Sequence, residues 1–405
     1  MAGPLQGIRI VDATSMIAGP LATMILGDQG ADVIKIENPK GGDHSRQVAG
    51  RRAGWSASFL QNNRSKRSVA LDLKRAEGLK ALRAILGTAD VFVQNWRPGV
   101  AERLGLSEQA VRALRPDIVY VSIAGFGFEG DWADRPVYDP LIQALSGLAA
   151  VQGQGRGRPN LVRTIVPDKV TAIQASQAIT AALLARARTG RGDHVRLSML
   201  DTVVAFLFAS DFTGQTFIGD EAEEETWDED GAGQDYVELI YETADGFMAV
   251  SAHTDATWRG LSRAVGRPDW LEDDRFASVE ARDVNKAARL ALTQATLRMD
   301  TTAGWMDRLR VEDVPCAPVL RRSEVVEHPQ VSANGTILRM DHPGAGPIRL
   351  ARPPARFEAH TPDPPAPARA LGADTRAVLA EAGLDDYAIA ALLASGAAAE
   401  TESNG

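Results

Sequence analysis

Five short runs rich in apolar and β-branched residues, at 7–12, 31–37, 68–73, 90–95 and 117–123, alternate with helical patterns at 19–29, 75–87 and 107–114. Strands separated by helices, with little chain left over for other connections, build parallel βαβ units rather than hairpins. Right-handed crossovers then place helices on both faces of an open α/β sheet. In such sheets ligands collect beyond the carboxyl ends of the strands, so the loops at 13–19 and 95–99 are expected to line a site. Gly19 lets the backbone approach a ligand closely, and Pro20 suits a first helical turn where its missing N–H is no loss. That makes a platform for an anion or polar group at a helix N-terminus. No G-x-G-x-x-G follows the first strand, which counts against a nicotinamide enzyme.

Asp168 stands at a second informative junction. Residues 161–166 are apolar and β-branched enough to read as a short strand, and Pro167 breaks it. Beyond it Ala172, Ala175, Ile179 and Leu183 recur at helical spacing, and Arg186, Arg188 and Gly190 form an ordinary helix end. Asp168 is therefore expected to open a helix. The plain role for an acid there is an N-cap; the other is a nucleophile, since carboxylates attack acyl carbon to form covalent intermediates. The two roles compete for the same oxygens.

With 405 residues, 44% hydrophobic and 24% charged, the chain suits a two-domain globular protein. No apolar run approaches the roughly 20 residues that span a bilayer, and the N-terminus has no basic-then-apolar leader pattern, so a cytoplasmic protein without membrane contact is expected. The single cysteine, Cys316, reads as packing. A net charge of -9 argues against nucleic acid as partner. A local basic cluster, Arg46, Arg64, Lys66, Arg67, Lys74, Arg97 and Arg103, could still hold a small polyanion. No His, Cys or Asp spacing suggests a metal.

Further along, an apolar helix at about 198–211 runs into the acidic stretch 220–230, whose like charges favour an exposed loop. From Tyr236 an α+β unit is expected, with a hairpin (236–241, 247–251) around Asp245 and Gly246 and helices near 255–265, 282–298 and 301–310. The Pro-rich segment 353–368 carries the chain back, and 375–382 and 386–394 form a terminal helical pair. The expected boundaries are a large domain at 1–215, a linker at 216–235, a small domain at 236–325, a return segment with helices at 326–398, and a disordered tail at 399–405.

Several pieces, in order and spacing, resemble the class III coenzyme A transferases, the family that includes formyl-CoA transferase and carnitine CoA-transferase. They are Gly7 to Asp12 (GIRIVD), Ala18 to Pro20 (AGP), Gly30 to Glu37 (GADVIKIE), Asn63 to Ser68 (NRSKRS) and Asp90 to Gly99 (DVFVQNWRPG). Tyr138 to Pro140 (YDP), Arg188 to Gly192 (RTGRG), Ser198 to Asp201 (SMLD) and His328 to Gln330 (HPQ) follow. The resemblance implies a Rossmann-like large domain built from both termini, a smaller α+β domain, and an interlocked homodimer in which 353–367 wraps the partner. It implies that Asp168 becomes acylated, that acyl-CoA and a carboxylic acid are the substrates, and that no cofactor is needed. The family's CoA contacts fall on Ile17, Ala18, Asn38, Leu71, Asp72, Leu73, Lys74, Asn95, Trp96, Arg97, Arg103, Pro136, Val137, Tyr138 and Asp139. Asn38 replaces an arginine of formyl-CoA transferase, and Lys66, Arg67 or Arg46 are the candidates to compensate. Gly231, Gly233 and Gln234 match a glycine-rich active-site loop in part, with Ala232 in place of one glycine. The α-methylacyl-CoA racemases share this fold, but their Gly-His-Asp run falls where this chain has Tyr138 and Asp139. A non-catalytic CoA-binding relative is the third alternative.

Overall fold

The computed structural model describes residues 3–48, 50–152, 159–212, 215–216, 218 and 239–401. They divide into two compact units, one of residues up to 234 together with those from 335 on, the other spanning 235–334. The second unit ends at 334, where 325 was expected, and so includes the short helices Arg322–Val325 and Pro329–Ala333.

The first unit is built on a seven-stranded sheet. Its strands are β1 (Arg9–Ala13), β2 (Asp32–Glu37), β3 (Lys66–Leu71), β4 (Val91–Gln94), β5 (Val119–Ala124), β6 (His194–Ser198) and β7 (Ala398–Ala399). Their spatial order is β7-β3-β2-β1-β4-β5-β6, and every pairing is parallel except that of β7 with β3. The first five strands and the helices between them fall where the hydrophobic pattern puts them. These helices are α1 (Ala18–Gly27), α2 (Ala76–Leu86) and α3 (Glu108–Leu114).

Alternation along each strand sends successive side chains to opposite faces, and each face has its own core. Ile10, Val33, Val91, Val93, Val119 and Val121 pack against α1 and the long helix Val166–Thr189. Val11, Ile34, Val69, Phe92 and Tyr120 pack against α2, α3 and the C-terminal helices Thr375–Glu381 and Asp386–Ser395. The C-terminal segment therefore completes the first unit. The strand order reverses between β1 and β4, and the loops beyond these two strands meet there: the Asn95 amide donates to the Ser15 carbonyl (2.9 Å) and accepts from the Ser15 N–H (3.0 Å).

Two expectations fail. Residues 161–165 form no strand; the backbone groups of Val162 and Thr164 are taken by the Gln143 side chain instead. The chain is not disordered from 399: Ala398 and Ala399 cover the edge of the sheet beside β3, Arg376 pairs with Glu400, and the Thr401 hydroxyl donates to the Leu371 carbonyl. An unpaired edge is a template for unwanted association, and a short antiparallel strand closes it. Residues 402–405 lie outside those described, as does nearly all of the expected linker.

The second unit has a three-stranded antiparallel sheet with Phe247–Val250 between Ile240–Glu242 and Cys316–Pro318. Its core gathers Trp258, Trp270, Phe276 and Trp305, and Cys316 packs against it as expected.

Candidate active site at the carboxyl ends of the strands

The helix Val166–Thr189 is labelled α5 from here, and Asp139–Leu145, which precedes it in the chain, α4. Asp168 lies in the first turn of α5 and is not its cap; the N-cap residue is Ile165, which has no side chain able to accept a bond. The cap comes from another helix. The Asp168 N–H donates to Oδ2 of Asp139 at 3.3 Å, so one of the orphan donors of the first turn is satisfied from α4. The carboxyl of Asp168 therefore does not serve as the cap of its own helix.

That carboxyl is partly exposed, and the nearby backbone N–H of Ala18, at the start of α1, favours its anion. The contact follows from the fold, since α1 and α5 lie side by side on one face of the sheet. Burial and then the negative charge of Asp139 push the Asp168 carboxyl up to about 6, against the opposing pull of the Ala18 N–H. Among the described residues no cation contributes. The group is still mostly ionised at neutral pH, but as an anion poorly compensated by its surroundings.

The loop that delivers Ala18 rests on buried charges that the sequence reading passed over. Oδ1 of Asp12 accepts from the N–H of Thr14 at 2.9 Å, and Oδ2 accepts from Lys66 Nζ and the Thr23 hydroxyl, both at 2.8 Å. Lys35 Nζ donates to the Thr14 carbonyl at 2.9 Å and pairs with Asp43 at the same distance. Asp43 in turn accepts from the N–H of Met16, which has a left-handed φ of 70°. Strain of that kind persists only where surrounding contacts over-determine the backbone. Burial alone would raise the Asp12 carboxyl, but the charges of Lys66 and Lys35 override it and hold the group well below the carboxylate range. The signal was present in the sequence as charged residues, Asp12, Lys35 and Lys66, within strands that read as buried.

Most of the predicted contact residues stand where parallel strands end: Ile17 and Ala18 beyond β1, Asn38 beyond β2, Leu71 to Lys74 at the end of β3, and Asn95 to Arg97 beyond β4. Leu71 is core and Leu73 packs against it, so any ligand there meets backbone rather than these side chains. Pro136 and Tyr138 are exposed, Tyr138 at 67%, while Val137 packs against a separate apolar cluster beneath them. Asp139 is only 4% exposed, and its carboxyl is turned onto α5 and Gln143.

The basic cluster divides. Arg64 pairs with Asp28 in the interior, Lys66 with Asp12, Arg67 with Asp32 and Glu381, and Arg46 with Glu37 while lying over the Phe59 ring. Arg46, Lys66 and Arg67 are thus committed to internal carboxylates and do not replace the charge absent at Asn38. Lys74, Arg97 and Arg103 remain exposed at the strand ends. A cleft of about 570 Å³, lined among others by Arg51, Arg52, Arg339 and Arg349, contains none of the predicted residues. Gly231, Gly233 and Gln234 lie outside the described residues. Among those described, no group of three or more His, Cys, Asp or Glu is placed to hold a metal, and no helix is long and apolar enough to cross a membrane.

A large, almost wholly parallel sheet with a partly buried carboxyl beside its strand ends defines an α/β protein with a candidate site at the switch point of its strand order. Residues 5–375 match the model of CoA-transferase family III, and the chain belongs to that family. It is 31% identical over 395 residues to the succinyl-CoA:glutarate CoA-transferase of Mus musculus, covering 97% of this chain and 90% of the relative. It is 30% identical to the formyl-CoA:oxalate CoA-transferase of Escherichia coli O157:H7, covering 97% and 99%. The crystal structure of Rv3272 from M. tuberculosis superposes with a TM-score of 0.80 at 30% identity, covering 93% and 98%. The protein is accordingly a class III CoA-transferase.

Proposed function

We propose that this enzyme moves coenzyme A from an acyl-CoA to a free carboxylic acid through covalent intermediates on Asp168. An Asp168 oxygen attacks the thioester carbonyl of the donor, the C–S bond breaks, and a mixed anhydride and CoA thiolate result. The thiolate then attacks the aspartyl carbonyl, releasing the donor acid and leaving Asp168 as its CoA thioester. The acceptor carboxylate attacks that thioester and frees the thiolate again. Attack of the thiolate on the acceptor's carbonyl gives the new acyl-CoA and restores the Asp168 carboxylate. Four exchanges conserve the thioester energy, and the cycle needs no metal or resident cofactor because CoA enters as substrate.

The observation that supports this reading is the setting of Asp168: a carboxyl with an acid, Asp139, and no cation beside it among the described residues, its own N–H capped by another residue, and the Ala18 N–H close by. Lys74, Arg97 and Arg103 supply positive charge at the strand ends for the phosphates of CoA. A cytoplasmic homodimer is part of the proposal. The names of the relatives make succinate, glutarate, formate and oxalate the first acids to try. Racemisation would need an acid–base pair across the substrate's α-carbon, and no histidine bears on Asp168.

The test is to incubate the protein with a panel of acyl-CoAs, trap with hydroxylamine and map the adduct by peptide mass. Modification is expected at Asp168, with turnover down by about 10³-fold or more in Asp168→Ala. An unmodified Asp168 with transfer unchanged in the variant rejects the reading. Exchange of the α-hydrogen of a chiral 2-methylacyl-CoA in heavy water would point to the racemase instead.

A further inference from the structure

We propose that Asp139 promotes acylation of Asp168 by like-charge repulsion in the free enzyme, while holding the nucleophile's backbone in place. This rests on the covalent reading above. Asp139 sits in the first turn of α4, buried, and both of its oxygens accept from nitrogen donors: Oδ1 from Gln143 Nε2 at 2.6 Å, Oδ2 from the Asp168 N–H at 3.3 Å. The orientation of the Gln143 amide is set independently, because its Oε1 accepts from the Val162 N–H at 2.9 Å and its Nε2 also faces the carbonyls of Val162 and Thr164 at 3.3 Å. Gln143 therefore presents N–H, not C=O, to Asp139. Both oxygens of the Asp139 carboxyl are therefore fixed beside the first turn of α5.

The free enzyme thus keeps two carboxylates together in a partly desolvated place. Among the described residues, the groups that act on Asp168 are Asp139 on α4 and the Ala18 N–H on α1, and the next residue of α5, Lys169, is turned to the Thr164 hydroxyl at 2.9 Å. When Asp168 attacks a thioester, the new C–O bond takes its negative charge and the broken C–S bond carries that charge off on sulfur. Repulsion from Asp139 is present before the reaction and falls as the charge departs, so it favours the transition state over the resting carboxylate. It also keeps Asp168 a stronger base and hence a stronger nucleophile than an ordinary aspartate. Asp139 touches no substrate in this scheme; it is a positioning residue that acts through Asp168.

The experiment measures single-turnover formation of the Asp168 adduct from pH 4.5 to 8 in the wild type, in Asp139→Asn and in the double variant Asp139→Asn with Gln143→Glu. The double variant exchanges acid and amide, so the hydrogen bond between the two side chains is kept while the charge moves one side chain farther from Asp168. The acid limb, near pH 6 in the wild type, is expected to move down by about one pH unit in both variants, with a plateau rate several-fold lower. A limb that stays in place, with the plateau recovered in the double variant, would mean that Asp139 is a structural cap only and overturns the inference. Failure of the wild type to form any Asp168 adduct overturns the covalent reading and this inference together; an adduct with an unmoved limb overturns this inference alone.

Discussion

Asp12 precedes the short loop 14–17 and Asp168 faces Ala18 at its far end, and the fold treats their charges in opposite ways. Asp12 is fully buried at the end of β1 and receives Lys66, the Thr23 hydroxyl and the Thr14 N–H, with Lys35 close by. Asp168 receives one backbone N–H, from Ala18, and an anion as neighbour. An ion enclosed by opposite charges and donors is inert; its role is to fix the backbone of residues 14–17, including the left-handed Met16. Asp168 has less compensation among the described residues, and in the proposed mechanism it is the reactive acid. The sign of the neighbouring charge, rather than burial alone, separates the two acids.

Removing the compensation from the first region should have the largest effect on stability. Asp12→Asn leaves Lys66 and Lys35 buried with one anion fewer, and is expected to lower the unfolding free energy by about 3–5 kcal/mol, read from urea denaturation. A change of less than about 1 kcal/mol would show that the network does not hold the loop as described.

The opposite sign is expected at Asp168. Its carboxyl is raised from 3.8 to about 6 in the folded chain, so folding favours its protonated form. That anion weakens the fold fully above pH 6, the penalty fades as pH falls through 6 toward 4, and it is gone below 4. Asp168→Asn should therefore abolish turnover yet raise stability at pH 7 by about 1–3 kcal/mol, a gain that disappears near pH 4. Equal stability of the two proteins at both pH values would break the contrast with Asp12.

A smaller effect belongs to the exposed cations at the strand ends. Arg103→Ala should raise KM for the acyl-CoA by about fivefold, equivalent to about 1 kcal/mol, with kcat little changed. The difference between the two enzymes should shrink as salt is raised to about 1 M. A salt-independent effect would show that Arg103 acts through packing rather than charge.

Much of the large sheet was legible beforehand because its signals are local. Alternation of apolar residues marks β1 to β5, and the intervening helices end within a residue or two of the expected positions. The failures have long-range causes. Residues 161–165 have strand-like composition, yet no strand offers them a partner, and the Gln143 amide satisfies their polar backbone groups instead. Ala398 and Ala399 carry no strand pattern and pair only because the edge of β3 is open to them. Arg46, Arg64, Lys66 and Arg67 read as a basic patch because the carboxylates that neutralise them are distant in the chain: Asp28 lies 36 residues from Arg64 and Asp12 lies 54 from Lys66. At the site itself Asp168 was singled out by its place at a helix start and by family resemblance, whereas nothing pointed to Gln143.

The sequence by itself determined the order of the first five strands and the helices between them, the side of the sheet on which polar loops gather, and the acid in the first turn of α5, because each depends on side chains only a few positions apart. Only the tertiary structure decided that Asp12 would meet lysines and Asp168 would meet Asp139, 29 residues away. Coulomb forces in a desolvated interior depend on distance in space, and that distance is set by the packing of α1, α4 and α5.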